Sequence, residues 1–155
     1  DYVVTFQTFS KTYAMCGCRI GYLWSRDMDL VKKIITMKTH TSMNTSMMSQ
    51  SMACEALRVT KDFLQQQLTI WKQRRDLLYQ GLLDLGLEVN QPEGAFYLLP
   101  KVDQTEDFVW DMFHQHGVIT YLGDWFGAPG HVRFSYALDI KKIEQGLKKI
   151  KLYLK

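Results

Sequence analysis

Apolar residues recur along the chain at two spacings, and the change from one spacing to the other predicts a mixed α/β protein. Residues 2–6 and 19–25 are short runs rich in β-branched and aromatic residues, which are typical of buried strands. Residues 8–17, between them, have the small and polar side chains of a loop that joins sheet strands. Because a sheet of two strands is not stable alone, we expect further strands upstream of this sequence.

Five segments place apolar residues three and four positions apart, as amphipathic helices do. The predicted helices cover about residues 27–38, 46–59, 62–86, 105–116 and 139–154. Asp27, Thr105 and Asp139 stand at the starts of three of them, where a side-chain oxygen can cap the free backbone N–H groups. The longest helix has a stripe of leucines with Trp71 and is predicted to end at Gly86.

Short strands and two inward helix faces complete the predicted elements. The strands cover residues 87–90, 95–99, 118–121 and 131–137. The turn at 91–94, with its proline and glycine, predicts a hairpin-like connection, and the glycine-rich loop 123–130 separates the last two strands. The residues predicted to face inward are Met48, Met52 and Leu57 in one helix, and Phe108, Met112 and Phe113 in another.

Composition and charge narrow the class of protein. The 155 residues match one average domain, and 46% apolar with 23% charged residues exclude a disordered chain. No apolar run approaches the roughly 18 residues of a membrane helix, and no signal peptide is recognisable, so a cytoplasmic protein without membrane contact is predicted. The net charge of +3 comes largely from lysines of the final helix, which favour a solvated face over nucleic-acid binding.

The sulfur-containing residues predict no metal site. Cys16, Cys18 and Cys54 are an odd number, which favours reduced thiols. The Cys-x-Cys spacing is shorter than that of zinc ligand pairs, and His114 and His116 diverge on a helix because they are two positions apart. The methionines at 37–52 fit adaptable core or interface packing better than copper binding.

Three motifs in order carry a resemblance to a known family. Residues 10–22 have the sequence Ser-Lys-Thr-Tyr-Ala-Met-Cys-Gly-Cys-Arg-Ile-Gly-Tyr, residues 93–97 have Glu-Gly-Ala-Phe-Tyr, and residues 132–137 have Val-Arg-Phe-Ser-Tyr-Ala after the glycine loop. Together they resemble the cofactor-lysine region, the small-domain substrate loop and the terminal arginine motif of class I/II, fold-type I aminotransferases of the aspartate-aminotransferase type. That family uses pyridoxal 5'-phosphate.

The resemblance implies the C-terminal part of a fold-type I pyridoxal-phosphate transferase. Residues 1–61 would be the last piece of the large cofactor-binding domain, and residues 62–155 the long connecting helix with the small α+β domain. The family's function, transamination between an amino acid and a 2-oxo acid, would belong to the longer protein, and the 155-residue chain alone is expected to be inactive. A homodimer is implied by resemblance only.

The resemblance assigns roles to residues near the N-terminal end. Lys11 matches the lysine that carries the cofactor and shuttles a proton. A lysine suits this role, because its amine becomes a nucleophile once its charge is removed. Arg19 matches the arginine that clamps the cofactor phosphate, a role suited to a planar bidentate donor. Thr8 stands at the family's hydroxyl position for the same phosphate, and Ser10 is a further cofactor-binding candidate.

Two more roles fall in the second half of the chain. Arg133 matches the arginine that binds the substrate α-carboxylate, and its strand register predicts that it faces a cleft. Gly94 would let the backbone approach the substrate closely. Two positions depart from the family pattern, with Cys16 where threonine is common and Cys18 where tryptophan is common.

Two other functions remain open from the sequence. A related fold-type I carbon-sulfur lyase would share the lysine and both arginines but would catalyse an elimination. A noncatalytic interaction module could have kept the motifs by descent. Dependence on a 2-oxo acid separates transamination from elimination, and cofactor binding separates either enzyme from the module.

Overall fold

The computed structural model describes residues 3–154, and the chain packs as two units, Asp1–Gln65 and Gln66–Lys155. In the first unit, strands β1 (Val4–Thr8) and β2 (Gly21–Ser25) pair antiparallel, with Thr8 opposite Gly21. Both strands were predicted, although Tyr2 of the predicted run lies outside the described residues. The prediction that these strands are buried was wrong, because two strands offer too little surface to cover their own side chains. Phe6 is 73% exposed and Trp24 is 53% exposed.

The segment between β1 and β2 is a loop that contains two short helical turns. Helix α1 (Phe9–Thr12) follows β1 directly, and a 3-10 turn spans Cys16–Cys18. Phe9 is buried and packs with Ile20 and Ala53 in a small apolar cluster. Because the Phe9 N–H donates to the Ile20 carbonyl at 3.2 Å, the start of α1 is held beside the start of β2.

Helices α2 (Met28–Thr41) and α3 (Met47–Ala56) complete the first unit. Asp27 caps α2 as predicted, with its Oδ1 accepting from Leu30 N at 2.9 Å. The predicted inward face of the next helix was wrong. Met48 and Met52 are exposed, and the buried positions of α3 are Ser49 and Ala53, whose small side chains allow close approach. Leu57, also predicted to face inward, is 61% exposed.

Helix α4 (Lys61–Asp84) is the longest helix of the described chain, as predicted. The buried residues of this helix, Leu78 and Leu82, lie in its second half, whereas Leu68 in the first half is exposed. Gly86 ends the helix with φ +82°, a backbone conformation that glycine adopts without a Cβ penalty. The Leu87 N–H then donates back to the Leu82 carbonyl at 3.1 Å.

The second unit continues as a three-stranded antiparallel sheet with two more helices. The elements are β3 (Tyr97–Leu98), α5 (Thr105–His114), β4 (Tyr121–Leu122), β5 (Val132–Ser135) and α6 (Ile140–Tyr153). The strand order is β3-β5-β4. The predicted hairpin between 87–90 and 95–99 is wrong, because β3 pairs with β5 and the 87–90 segment forms no strand. A 3-10 turn at Gly123–Phe126 occupies part of the glycine-rich loop.

Helices α4, α5 and α6 contribute to one core with the sheet. Leu82, Met112 and Val132 are fully buried in it. On α5 the predicted inward face is corrected, because Val109 is buried and Phe113 is 45% exposed. The N-cap of α5 is Gln104 and not the predicted Thr105, which is the first helical residue. Asp139 caps α6 as predicted, with Oδ1 accepting from Lys142 N at 3.0 Å.

Within residues 3–154, none of the helices has the length and apolar character needed to cross a bilayer. The same residues contain no group of three or more histidine, cysteine or acidic side chains placed to hold a metal ion.

Candidate functional site

Lys11 lies on the short helix α1, whose position is fixed by its neighbours. Thr8 is the N-cap, and its Oγ1 accepts from Ser10 N at 3.1 Å and lies 2.9 Å from Ser10 Oγ. Phe9 anchors the turn in the small apolar cluster of the first unit, while Lys11 is exposed. The turn therefore presents the lysine and two hydroxyl groups within four consecutive residues.

Arg19 lies at the other end of the loop, between the 3-10 turn and β2. It follows the 3-10 turn in a left-handed backbone conformation, with φ 47°, which is uncommon for a residue with a side chain. Its Nη1 donates to the Cys16 carbonyl at 3.1 Å. Because the next residue, Ile20, accepts from Phe9 N, Arg19 is held close to the backbone of α1.

Cys16 contacts both parts of the candidate site. Its Sγ donates to the Ser10 carbonyl at 3.1 Å, and its own carbonyl accepts from the Arg19 guanidinium. The thiol thus supplies the kind of donor that a threonine hydroxyl would supply at this position. Cys18, the second departure from the family pattern, has its Sγ 3.9 Å from the Met52 sulfur, in a packing contact.

The donors around Lys11 suit a phosphate group. A guanidinium has five N–H groups, and two hydroxyls lie on the same loop. Within residues 3–154, the Arg19 side chain donates one hydrogen bond, to the Cys16 carbonyl. Thr8, Ser10 and Lys11 thus lie on one turn of the first unit, and Arg19 is linked to that turn through Cys16. A guanidinium, two hydroxyls and an amine are groups of the kind that a phosphorylated aldehyde cofactor requires.

Gly94 lies in the second unit, in the bend before β3. A Cβ added there would meet no atom within 4 Å, so the chain's own packing does not require glycine at this position. Gly94 lines a cleft of about 420 Å³ together with Trp71, Arg75 and Tyr136. The Tyr136 hydroxyl donates to the Ala95 carbonyl at 3.0 Å, which holds the bend against β5.

Arg133 lies on β5 with its side chain on the face opposite the core. Its neighbours Val132 and Phe134 are buried, whereas Arg133 and Ser135 alternate with them on the other face. The Arg133 Cζ lies 3.7 Å from the ring centroid of Phe126. The rings of Tyr97 and Tyr121 are the other two neighbours, at 4.4 Å and 4.9 Å from the same atom.

The Arg133 Nε is buried from solvent and has no hydrogen-bond partner within the described chain. An unsatisfied buried donor costs about 1–3 kcal/mol, so such groups are rare unless they have another purpose. A guanidinium that is held between rings and keeps N–H groups unpaired suits an anionic ligand, and a carboxylate fits its planar fork.

The sequence reasoning missed the three rings around Arg133. Two of them belong to the segments discussed for their motifs, since Tyr97 ends the Glu-Gly-Ala-Phe-Tyr motif and Phe126 lies in the glycine-rich loop. Tyr121 pairs directly with Arg133 across β4 and β5. Strand pairing could not be read from the sequence, because the order β3-β5-β4 depends on long-range contacts.

Comparison with known proteins gives consistent results along the whole chain. A probable aspartate aminotransferase from Methanocaldococcus jannaschii is 36% identical over 97% of this chain and 42% of its own length. A probable aspartate/prephenate aminotransferase from Aquifex aeolicus is 33% identical over 95% of this chain and 40% of its own length. The chain therefore spans about two fifths of these relatives.

Solved structures give the same result for the fold. The crystal structure of aspartate aminotransferase from Thermotoga maritima matches with a TM-score of 0.91 and 30% identity, over 99% of this chain and 40% of that one. The aromatic aminotransferase from Pyrococcus horikoshii matches with a TM-score of 0.88 and 26% identity, over 97% of this chain and 42% of that one. The sequence model of aminotransferase class I and II matches residues 1–150, and the chain belongs to that family.

Proposed function

We propose that the protein to which this chain belongs catalyses transamination between an amino acid and a 2-oxo acid with pyridoxal 5'-phosphate. The observation that carries the proposal is the grouping of Thr8, Ser10 and Arg19 around the turn of Lys11 in a member of this family. The names of the relatives, aspartate, prephenate and aromatic aminotransferases, support the same class of reaction.

The first unit would hold the cofactor. In this proposal Lys11 carries it covalently, Arg19 binds its phosphate through two N–H groups, and the Thr8 and Ser10 hydroxyls donate to the remaining phosphate oxygens. When bound, the cofactor supplies the electron sink that makes loss of a proton from the substrate α-carbon accessible. The anchored turn fixes the position of the Lys11 backbone directly after β1.

Lys11 and Arg133 would have separate roles toward the substrate. The Lys11 amine would take the proton from the substrate α-carbon and deliver it to the C4′ carbon of the cofactor, so it would act first as a base and then as an acid. Arg133 binds the α-carboxylate that amino acids and 2-oxo acids share, which explains acceptance of both. Gly94 leaves space beside the backbone of the bend, and we assign it a substrate contact.

The finer assignments rest on the same family membership. We assign residues 1–61 to the end of the large domain, and residues 62–155 to the connecting helix and small domain. We also propose a homodimer in the cytoplasm. Since the chain spans about two fifths of its relatives, we propose that the 155-residue chain alone does not turn over substrate.

Absorbance of the intact protein after addition of pyridoxal 5'-phosphate tests the proposal. We expect a band of lysine-bound cofactor that is absent in Lys11→Ala and present in Lys33→Ala, which removes an exposed lysine from α2. Addition of an amino acid should bleach the band, and a 2-oxo acid should restore it. A band that forms equally in Lys11→Ala would refute the assignment, and turnover without any 2-oxo acid would indicate elimination.

A further inference from the structure

Three aromatic rings surround the guanidinium of Arg133, and each comes from a different segment. Tyr97 lies on β3 and Tyr121 on β4, the two strands that flank β5. Phe126 lies in the 3-10 turn that follows β4, and its ring centroid is nearest to Arg133 Cζ, at 3.7 Å. Three separate segments therefore each place one ring against the same cation. We call Tyr97, Tyr121 and Phe126 the aromatic cage.

The aromatic cage stabilises the cation without occupying its N–H groups. A ring face attracts a guanidinium through the quadrupole of the ring, and it accepts no strong hydrogen bond. A carboxylate neighbour would instead take two of the N–H donors. Within residues 3–154, Arg133 forms no ion pair, and its Nε is buried without a hydrogen-bond partner. The ring contacts thus leave the guanidinium of Arg133 without a competing acceptor for its N–H groups.

This inference rests on the proposed function, in which Arg133 binds the substrate carboxylate. We propose that the aromatic cage consists of positioning residues, with Phe126 foremost, which hold the Arg133 guanidinium so that its nitrogen edge meets a planar carboxylate. Bidentate pairing of a guanidinium with a carboxylate requires the two groups to lie close to one plane. A side chain released from the rings would rotate away from that plane. The aromatic cage should therefore set the affinity for the carboxylate of both substrates.

Steady-state kinetics of the intact enzyme tests this role. Phe126→Leu keeps an apolar side chain but removes the ring, so KM for the amino acid and for the 2-oxo acid should rise together, on the order of tenfold. We expect kcat to change by no more than about twofold, because uniform binding is lost and not the chemical step. Phe126→Tyr keeps the ring face and should restore both KM values.

The matched control is Phe113→Leu on α5. Phe113 is 45% exposed and Phe126 is 47% exposed, and the Phe113 ring contacts His114 and not Arg133. The same substitution at Phe113 should leave both KM values unchanged. Equal effects of the two substitutions would mean that loss of an exposed ring lowers activity in general, and would overturn the positioning role.

A binding measurement gives a result that does not depend on turnover. The probe is 3-phenylpropanoate, which has a carboxylate but neither an amino nor an oxo group, titrated by calorimetry at fixed ionic strength. Its Kd should weaken on the order of tenfold in Phe126→Leu. In the Arg133→Gln background, Phe126→Leu should cause no further weakening, since the ring acts through the guanidinium. If Phe126→Leu weakened the binding of 3-phenylpropanoate as strongly in the Arg133→Gln background as in the wild type, the inference would be overturned.

The two proposals fail in distinguishable ways. If the Lys11-dependent absorbance band forms and Phe126→Leu leaves both the KM values and the Kd of 3-phenylpropanoate unchanged, only the role of the aromatic cage is wrong. If the band is missing but the anion binds in a manner that depends on Arg133 and Phe126, the proposed transamination is wrong and the aromatic cage stands as an anion-binding device.

Discussion

Arg19 combines a rare backbone conformation with the guanidinium that we propose as the phosphate-binding group. A φ of 47° is unfavourable for a residue with a Cβ, and such conformations persist where the surroundings impose them. Here the hydrogen bonds on either side, from Arg19 Nη1 to Cys16 and from Phe9 N to Ile20, fix the backbone. The strained backbone position and the side chain that we assign to the cofactor phosphate thus belong to the same residue.

Arg19→Lys should weaken cofactor binding while leaving the fold in place. Lysine keeps the positive charge but lacks the planar fork, so the dissociation constant of pyridoxal 5'-phosphate should rise about tenfold, which corresponds to roughly 1.4 kcal/mol. Absorbance titration of the intact protein measures this constant. The thermal midpoint should stay within a few degrees, because Arg19 is exposed. An unchanged dissociation constant would remove Arg19 from the phosphate site.

Tyr136 should make the second unit sensitive to alkaline pH. Burial raises the pKa of the Tyr136 phenol above its ordinary value of 10.0, and the neighbouring Arg75 opposes this shift. The folded state therefore keeps the proton where the unfolded state releases it. The resulting stability is present below pH 10 and is lost as the pH rises through the raised value.

Urea unfolding at pH 9 and at pH 11 checks this expectation. Tyr136→Phe should lose about 1 kcal/mol at pH 9, since it removes the hydrogen bond to Ala95, and should show a smaller further loss at pH 11 than the wild type. Equal pH dependence in wild type and Tyr136→Phe would contradict the assigned cause.

The chemistry-bearing residues were accessible from the sequence because their motifs are contiguous. Thr8, Ser10, Lys11 and Arg19 lie within twelve positions, and the local hydrogen bonds of the loop bring them together. The roles assigned to them, and to Gly94 and Arg133, stay predictions. The rings around Arg133 were inaccessible because Tyr97, Tyr121 and Phe126 meet only once β3, β5 and β4 are paired.

At the scale of elements, β1 and β2 are coupled by a close backbone approach. Gly21 lies opposite Thr8, and a Cβ at Gly21 would collide with the backbone carbonyl of Gln7. Backbone atoms of a paired strand cannot move aside as a flexible side chain can. The glycine is therefore required by the pairing that places α1 and Lys11 at the end of β1.

Gly21→Ala should separate the two strands locally and destabilise the first unit. We expect a loss of about 1–3 kcal/mol in the free energy of unfolding, the usual range for overpacking. Gly17→Ala is the matched control, because a Cβ at Gly17 meets nothing within 4 Å. Chemical denaturation of both variants, followed by circular dichroism, measures the difference. Equal stability of the two variants would show that the strands adjust without cost.

Element prediction succeeded for two helix caps and one helix terminator, was one residue out for the cap of α5, and failed where distant contacts decided the structure. The caps Asp27 and Asp139 and the terminator Gly86 lie where the sequence placed them, because these depend on adjacent backbone groups. The predicted hairpin at 87–99 did not form, because β3 pairs with the distant strand β5 and residues 87–90 form no strand. The predicted inward face of α3 was wrong, because the small residues Ser49 and Ala53, and not the larger methionines, form its buried face.

At the scale of the whole molecule, the two units differ in how much apolar surface they bury. The second unit has thirteen buried residues in one cluster, whereas the described part of the first unit has three. Hydrophobic burial is the main favourable term in folding, so the units should differ in local stability.

Hydrogen exchange of the 155-residue chain should show this asymmetry. Amides of α5, β5 and α6 should exchange slowly and together, whereas those of β1, β2 and α2 should exchange much faster. Mass spectrometry of peptic peptides resolves these segments. Similar protection of β1 and β5 would contradict the expectation, and would mean that the exposed apolar residues of the first unit are covered in solution.

The position of Arg133 between rings has a spectroscopic consequence. Protons above an aromatic face experience ring currents that move their resonances upfield, and a donor buried from solvent exchanges slowly. The Arg133 Nε–H should therefore give a separate, persistent peak in a proton–nitrogen correlation spectrum, unlike the averaged peaks of exposed arginines. Binding of a carboxylate would move that peak downfield, so a single resonance would report on the site without any catalysis.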